Sequence, residues 1–85
     1  MAKKKTKLLY DLPQLFDAGG DIKKPWYVYY RFESEGGKKE RFRIKGLDGI
    51  GDINRKKTKE ERKYVAGLII SAITELLESG YNPFI

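Results

Sequence analysis

The chain contains no cysteine and no histidine. Without thiols there is no disulfide and no thiolate metal site, and an intracellular setting is compatible with the composition. Without imidazole the sequence lacks the commonest general base and the commonest metal ligand. It also lacks any apolar run near the roughly 20 residues that span a bilayer. Leu8-Leu9-Tyr10 is too short for the apolar core of a signal peptide, although the residues before it are basic. Glycines cluster at 19–20, 36–37 and 46–51, but none of these stretches carries the Gly-Lys-Ser/Thr ending of a phosphate loop, and they read as turns. No residue spacing suggests a metal site. The expectation is a soluble, cytoplasmic, non-catalytic domain with no cofactor, no small-molecule substrate and no membrane partner, monomeric in isolation.

What is present is charge, aromatics and alternation. The 85 residues suffice for one small domain, and 40% apolar content supports a thin core. The net charge is +6, and it is unevenly placed. Residues 1–7 carry four lysines, and residues 38–63 carry eleven Lys or Arg against five acids. Residues 8–37 and 64–85 are each mildly acidic. A basic tail with a basic middle section suits a polyanion, nucleic acid first and an anionic membrane second. Residues 1–7 are expected to form a disordered basic tail, and residues 8–85 a single domain.

From Trp26 to Lys45 the sequence reads as a hairpin. Period-two alternation over 26–33 sets Trp26, Val28, Tyr30 and Phe32 on one face and Tyr27, Tyr29, Arg31 and Glu33 on the other. Ser34-Glu35-Gly36-Gly37 supplies the loop. The returning strand, 38–45, sends Phe42 and Ile44 to the apolar face and Lys39, Arg41, Arg43 and Lys45 to the other. Neighbouring strands lie about 4.8 Å apart, so the two outward sets sit side by side. Like charges so placed repel, and such a face is more readily understood when an anion occupies it, though tyrosine hydroxyls and water also dilute the repulsion. Glu33, Glu35 and Glu40 are expected as exposed ion-pair partners of neighbouring cations. A short edge strand is expected around Gln14–Asp17, and residues 46–57 are expected to be a loop with a basic end.

Residues 59–79 read as one long helix. Thr58 and Glu61 form a capping box, with Thr58 accepting from the Glu61 N–H and Glu61 reaching back. Gly80 stands where a left-handed cap belongs, and Pro83 prevents continuation. At 100° per residue, Tyr64, Val65, Leu68, Ile69, Ala72, Ile73, Leu76 and Leu77 fall in one sector, with Ala66, Ile70, Ser71, Thr74 and Glu75 opposite. That sector is expected to cover the apolar face of the sheet. The fold class is therefore α+β, a small antiparallel sheet packed on one long C-terminal helix. Tyr81 and Phe84 either pack back onto the core or lead into a further domain. With the apolar face covered, the cationic face is left free, and an antiparallel ribbon is an element that fits the major groove of DNA.

Three stretches carry a resemblance: DLPQLFDAGG (11–20), KPWYVYYRFESEGGKKERFRIKG (24–46) and DINRKKTKEERKYVAGLIISAITELLESGYNPF (52–84). In order and spacing they resemble the N-terminal arm-type DNA-binding domain of tyrosine recombinases, the integrases of prophages and conjugative elements. The resemblance covers nearly the whole chain beyond the basic tail. It implies a three-stranded antiparallel sheet on one C-terminal helix, with the sheet inserted into the major groove of arm-type sites. Carried over by position, it implies DNA contacts from Tyr27, Tyr29, Arg31, Arg41 and Arg43, with Lys39 and Lys45 beside them. It implies phosphate contacts from Lys3, Lys4, Lys5 and Lys7 in the tail, and from Arg55, Lys56 and Lys57 before the helix. The family's catalytic domain uses a tyrosine nucleophile with arginine, histidine and lysine partners, and this chain has neither the histidine nor the length to supply it. The expectation is the arm-binding module alone, with YNPFI (81–85) where the family's core-binding domain begins. The 46–53 loop is longer than the turn the family has there. Other readings remain open: a solvated face that serves solubility, an acidic protein partner held by the Tyr/Arg cluster, or single-stranded RNA stacked on the exposed aromatics.

Overall fold

The structure is a computed structural model that describes residues 9–84. Its centre is strand β2 (Tyr27–Glu33), flanked by β1 (Gln14–Phe16) and β3 (Lys39–Ile44) in one antiparallel sheet of order β1-β2-β3. The helix α1 (Lys59–Glu78) packs across one face. This is the α+β architecture expected: three antiparallel strands and one long C-terminal helix. No helix among the described residues is long and apolar enough to cross a membrane.

The alternation in β2 sorts its side chains as the sequence implies. Trp26, Val28, Tyr30 and Phe32 are buried, and they pack with Val65, Ala66, Ile69, Ile73 and Leu77 of the helix. Register pairs Val28 with Ile44 and Tyr30 with Phe42, and the rings of Tyr30 and Phe42 stack at 5.3 Å. The turn closes through the Gly37 N–H donating to Ser34 O, and Gly37 takes φ +84°, which glycine adopts without strain. Trp26 and Lys45 fall just outside the ladder because their backbones are engaged elsewhere. The Trp26 N–H donates to Asn54 Oδ1, and the Lys45 carbonyl accepts from Ile53 N. Asp17 leaves β1 for the same kind of reason, since its carboxylate accepts from Gly19 N.

Residues 46–57 are not a plain loop. Gly46–Leu47 (β4) pairs with Gly51–Asp52 (β5), and a 3₁₀ turn follows at Ile53–Arg55. A Cβ on Gly46 would stand 2.7 Å from the Gly51 carbonyl, so only glycine admits this crossing. The small hairpin delivers Ile53 to the core, where it is fully buried. That burial contributes about 1.5–3 kcal/mol, a large share of the roughly 5–15 kcal/mol by which a domain is stable.

The helix face differs from the expected sector. Val65, Ala66, Ile69, Ile73 and Leu77 are buried, whereas Tyr64, Leu68 and Leu76 are exposed and Ala72 is half-buried. Apolar residues occur nearly all round α1, so periodicity alone cannot choose between its two edges. Arg62 decides the rotation. Its buried guanidinium donates to the carbonyls of Lys56, Lys24 and Asn54 and to Asn54 Oδ1 at 3.0–3.4 Å, and lies 5.3 Å from the Trp26 ring. Asn54 completes the knot, its Nδ2 donating to the Trp26 carbonyl.

The helix ends follow local chemistry. Thr58 Oγ1 accepts from Glu61 N at 3.1 Å, but no return bond from the Glu61 side chain forms among the described residues. At the other end Gly80 has φ +101°, Tyr81 N donates to Leu76 O and Gly80 N to Leu77 O. That pair of bonds is a Schellman cap. Phe84 folds back edge-on against Phe32 and Phe42.

Candidate nucleic-acid interface

The uncovered face of the sheet carries Tyr27, Tyr29 and Arg31 from β2 and Lys39, Arg41 and Arg43 from β3, with Lys45 exposed immediately after the strand. The pairs Tyr29–Arg43, Arg31–Arg41 and Glu33–Lys39 stand directly opposite one another. Six of the expected contact residues are thus brought to one surface by strand alternation, and Lys45 is exposed just beyond the end of β3. Lys3, Lys4, Lys5 and Lys7 lie outside the described residues.

Each exposed arginine of β3 lies on a tyrosine diagonal to it. Arg41 Cζ sits 5.1 Å from the Tyr29 ring centroid and Arg43 Cζ 5.5 Å from that of Tyr27. Neither guanidinium has a carboxylate partner among the described residues. The ring quadrupole attracts each cation, and no hydrogen bond from either guanidinium to a described residue forms, so the N–H donors are left for a ligand. The expected repulsion between neighbouring cations is relieved here by spreading them over aromatic faces.

The other end of the surface is relieved by a residue that sequence reasoning missed. Residues 9–11 run beside β2 ahead of β1, with Asp11 N donating to Arg31 O and Glu33 N to Leu9 O. This places the Asp11 carboxylate between two cations, 2.7 Å from Arg31 Nε and 2.9 Å from Lys39 Nζ. The hydrogen bonds from Lys39 and then Arg31 hold the Asp11 carboxyl below its ordinary value. Of the acids expected as ion-pair partners, Glu35 and Glu40 make no ion pair among the described residues. No sequence signal marks Asp11, because its role depends on how the segment before Pro13 runs.

Strand β1 adds two further side chains. Gln14 Oε1 accepts from the Tyr29 hydroxyl at 3.1 Å. Phe16 stacks on Tyr27 at 4.9 Å, and Tyr27 meets Tyr29 edge-on at 6.1 Å. Phe16 is 42% exposed, an apolar ring on an otherwise polar face. The period of the short edge strand was the available signal for both. The surface is therefore graded, with aromatics and arginines that have no carboxylate partner among the described residues at one end, and at the other a cation pair bridged by one carboxylate.

Arg55, Lys56 and Lys57 belong to no strand. Arg55 ends the 3₁₀ turn that Asn54 ties to Trp26, at the Tyr27 end of the sheet, and Arg55 and Lys57 are exposed. Lys56 is half-buried and lines a hollow with Glu61, Tyr64 and Leu68 on the helix. It is thereby separated from the cationic sheet face with which the resemblance groups it. In comparisons with known proteins, no family model, no curated protein and no solved structure matches the chain.

Proposed function

We propose that this chain binds double-stranded DNA sequence-specifically through the cationic face of its sheet, laid in the major groove, as the arm-site-binding module of a tyrosine recombinase of the integrase type. One observation carries the reading: Arg41 and Arg43 lie on the rings of Tyr29 and Tyr27, exposed, on the sheet face that α1 leaves uncovered. Arginine whose N–H donors are not engaged by other described residues suits the bidentate bond to guanine O6 and N7, and the neighbouring Lys45 and Tyr27 hydroxyl suit phosphates. Three strands about 4.8 Å apart span roughly 10 Å of backbone, against a groove about 12 Å wide. Phe16, beside Tyr27, offers an apolar surface for a thymine methyl group. The resemblance of residues 11–84 to integrase arm domains supplies the biological setting, and the three-stranded sheet on one C-terminal helix is the architecture that the resemblance implies. In this reading the module is non-catalytic, monomeric when free and cytoplasmic.

A second reading uses the same surface for an acidic protein, because clustered tyrosines and arginines also make interface hot spots. The stacked trio Phe16, Tyr27 and Tyr29 favours it. Salt separates the two: counterion release makes DNA affinity fall steeply with ionic strength, whereas an interface of desolvated aromatics loses much less. The test is an NMR titration of labelled protein with a duplex carrying candidate arm repeats and with a scrambled duplex, at two salt concentrations. Shifts centred on Tyr27, Tyr29, Arg31, Arg41 and Arg43, stronger for the repeat duplex and weakened by salt, support DNA reading. Absence of shifts on β2 and β3 at low salt with either duplex removes it.

A further inference from the structure

The rotation of α1 leaves an apolar row, the seam, along the outer edge of the helix. Tyr64 is 69% exposed, Leu68 39% and Leu76 46%, and with half-buried Ala72 they form one four-residue-step row that winds about 120° round the helix. Two hollows flank this line, one beside Tyr64 and Leu68 and one beside Leu76. Large apolar side chains left in water along one helix edge mark an interaction surface more often than chance.

The charge on the seam selects what can cover it. Glu61 and Glu75 lie two helical turns either side of Leu68 and line the two hollows. Neither carboxylate is engaged by another described residue. A second copy of this chain is a poor occupant. Antiparallel pairing about Leu68 sets Glu61 against Glu75 at both ends, and parallel pairing sets each glutamate against itself. Either arrangement desolvates like charges side by side. Lys56 is the cation on the rim, and Glu60 and Glu61 of the same hollow outweigh it.

We propose that the outer seam of α1 is a docking surface for a basic amphipathic helix of a partner protein. Such a helix brings apolar side chains to Leu68 and Leu76, which are about 12 Å apart along the axis at 1.5 Å per residue. It brings lysine or arginine at positions separated by about 21 Å, to meet Glu61 and Glu75. The proposal is independent of the DNA reading, because the seam belongs to α1 and the cationic residues stand on the sheet face that α1 leaves uncovered. An acidic seam also repels DNA, so the two ligands do not compete for it.

The test titrates the labelled full chain with three synthetic peptides of about 18 residues, long enough to span roughly 27 Å as a helix. The first is an amphipathic Leu/Lys helix, the second has the same composition scrambled, and the third has Glu in place of Lys. The expected result is a set of amide shifts centred on Tyr64, Leu68 and Leu76 with the first peptide, at an affinity at least about tenfold above the scrambled one. The double variant Glu61→Lys/Glu75→Lys is expected to lose that affinity and to prefer the acidic peptide. If the reversal does not fold, Glu61→Gln/Glu75→Gln serves in its place, with an expected loss of about threefold or more. Shifts centred elsewhere, equal affinity for the scrambled peptide, or no loss in the variants overturn the proposal. Concentration-dependent broadening of the seam residues without peptide would assign the face to a second copy and overturn it as well.

Discussion

Replacing Asp11 with Asn should lower stability and raise DNA affinity at once. The carboxylate holds Arg31 and Lys39 at 2.7 and 2.9 Å, with the three side chains 36%, 52% and 32% exposed. Exposed pairs of this kind contribute about 0.2–1 kcal/mol each, so the loss is about 1 kcal/mol and the melting temperature falls by roughly 4–8 °C. The same change removes a negative charge from the proposed binding face and frees two cations. At 0.1 M salt each further phosphate neutralised strengthens binding by about 1.2 kcal/mol through counterion release, or five- to tenfold. The slope of log K against log salt steepens by about 0.9 for each of those phosphates, to a limit of about 1.8 for two. Fluorescence anisotropy with a labelled duplex at several salt concentrations, beside thermal melts by circular dichroism, measures both effects. The pH dependence has a definite sign. Asp11 has its folded pKa below the ordinary 3.8, so its contribution is present above that value and is lost as pH falls through the folded one. The variant should therefore lack that part of the acid destabilisation. Weaker binding with a flatter salt slope refutes the reasoning, since Asp11 would then be arranging the cations for DNA rather than screening them. No change in either quantity would show that DNA does not touch this face.

Three further outcomes are expected. Arg41→Ala and Arg43→Ala should each weaken specific duplex binding by about 1–3 kcal/mol in anisotropy titrations while leaving the melting temperature nearly unchanged, and unfolding instead would mean that these strands bury the opposite face. Arg62→Met keeps the stem against Trp26 but deprives the carbonyls of Lys24, Asn54 and Lys56 of their donor, about 1 kcal/mol each, for a total near 3 kcal/mol in denaturant melts. A loss under about 1 kcal/mol would mean that water replaces the guanidinium. Ile69→Ala should destabilise the fold by about 2–5 kcal/mol and Leu68→Ala by less than about 1 kcal/mol, because Ile69 is fully buried and Leu68 is 39% exposed, and equal losses contradict the helix rotation.

The hairpin was legible because its rule is local. Alternation in β2 and β3 fixes which side chain faces which way, and Arg41, Arg43 and Tyr29 follow from it directly. The helix ends were legible for the same reason, through Thr58 and Gly80. What escaped depends on residues distant in sequence. Ile53 enters the core only because Gly46 lets β5 cross β4 closely, which no periodicity in 46–57 records. The helix phase is set by Arg62 meeting carbonyls up to 38 residues away. Asp11 owes its place to residues 20 and 28 positions along the chain. A charged residue reads as surface until the partner that buries or neutralises it is known.

The spacing within β3 sets a limit on what the domain could read. Side chains on one face of a strand recur about every 6.7 Å, and base pairs rise about 3.4 Å. With β3 laid along the groove, Arg41 and Arg43 therefore stand over base pairs two steps apart, and the step between them receives no side chain from that strand. The preferred sites should carry their information at alternating positions. Insertion of a single base pair between two strong positions should abolish their joint recognition, whereas changing the identity of the intervening pair should matter little.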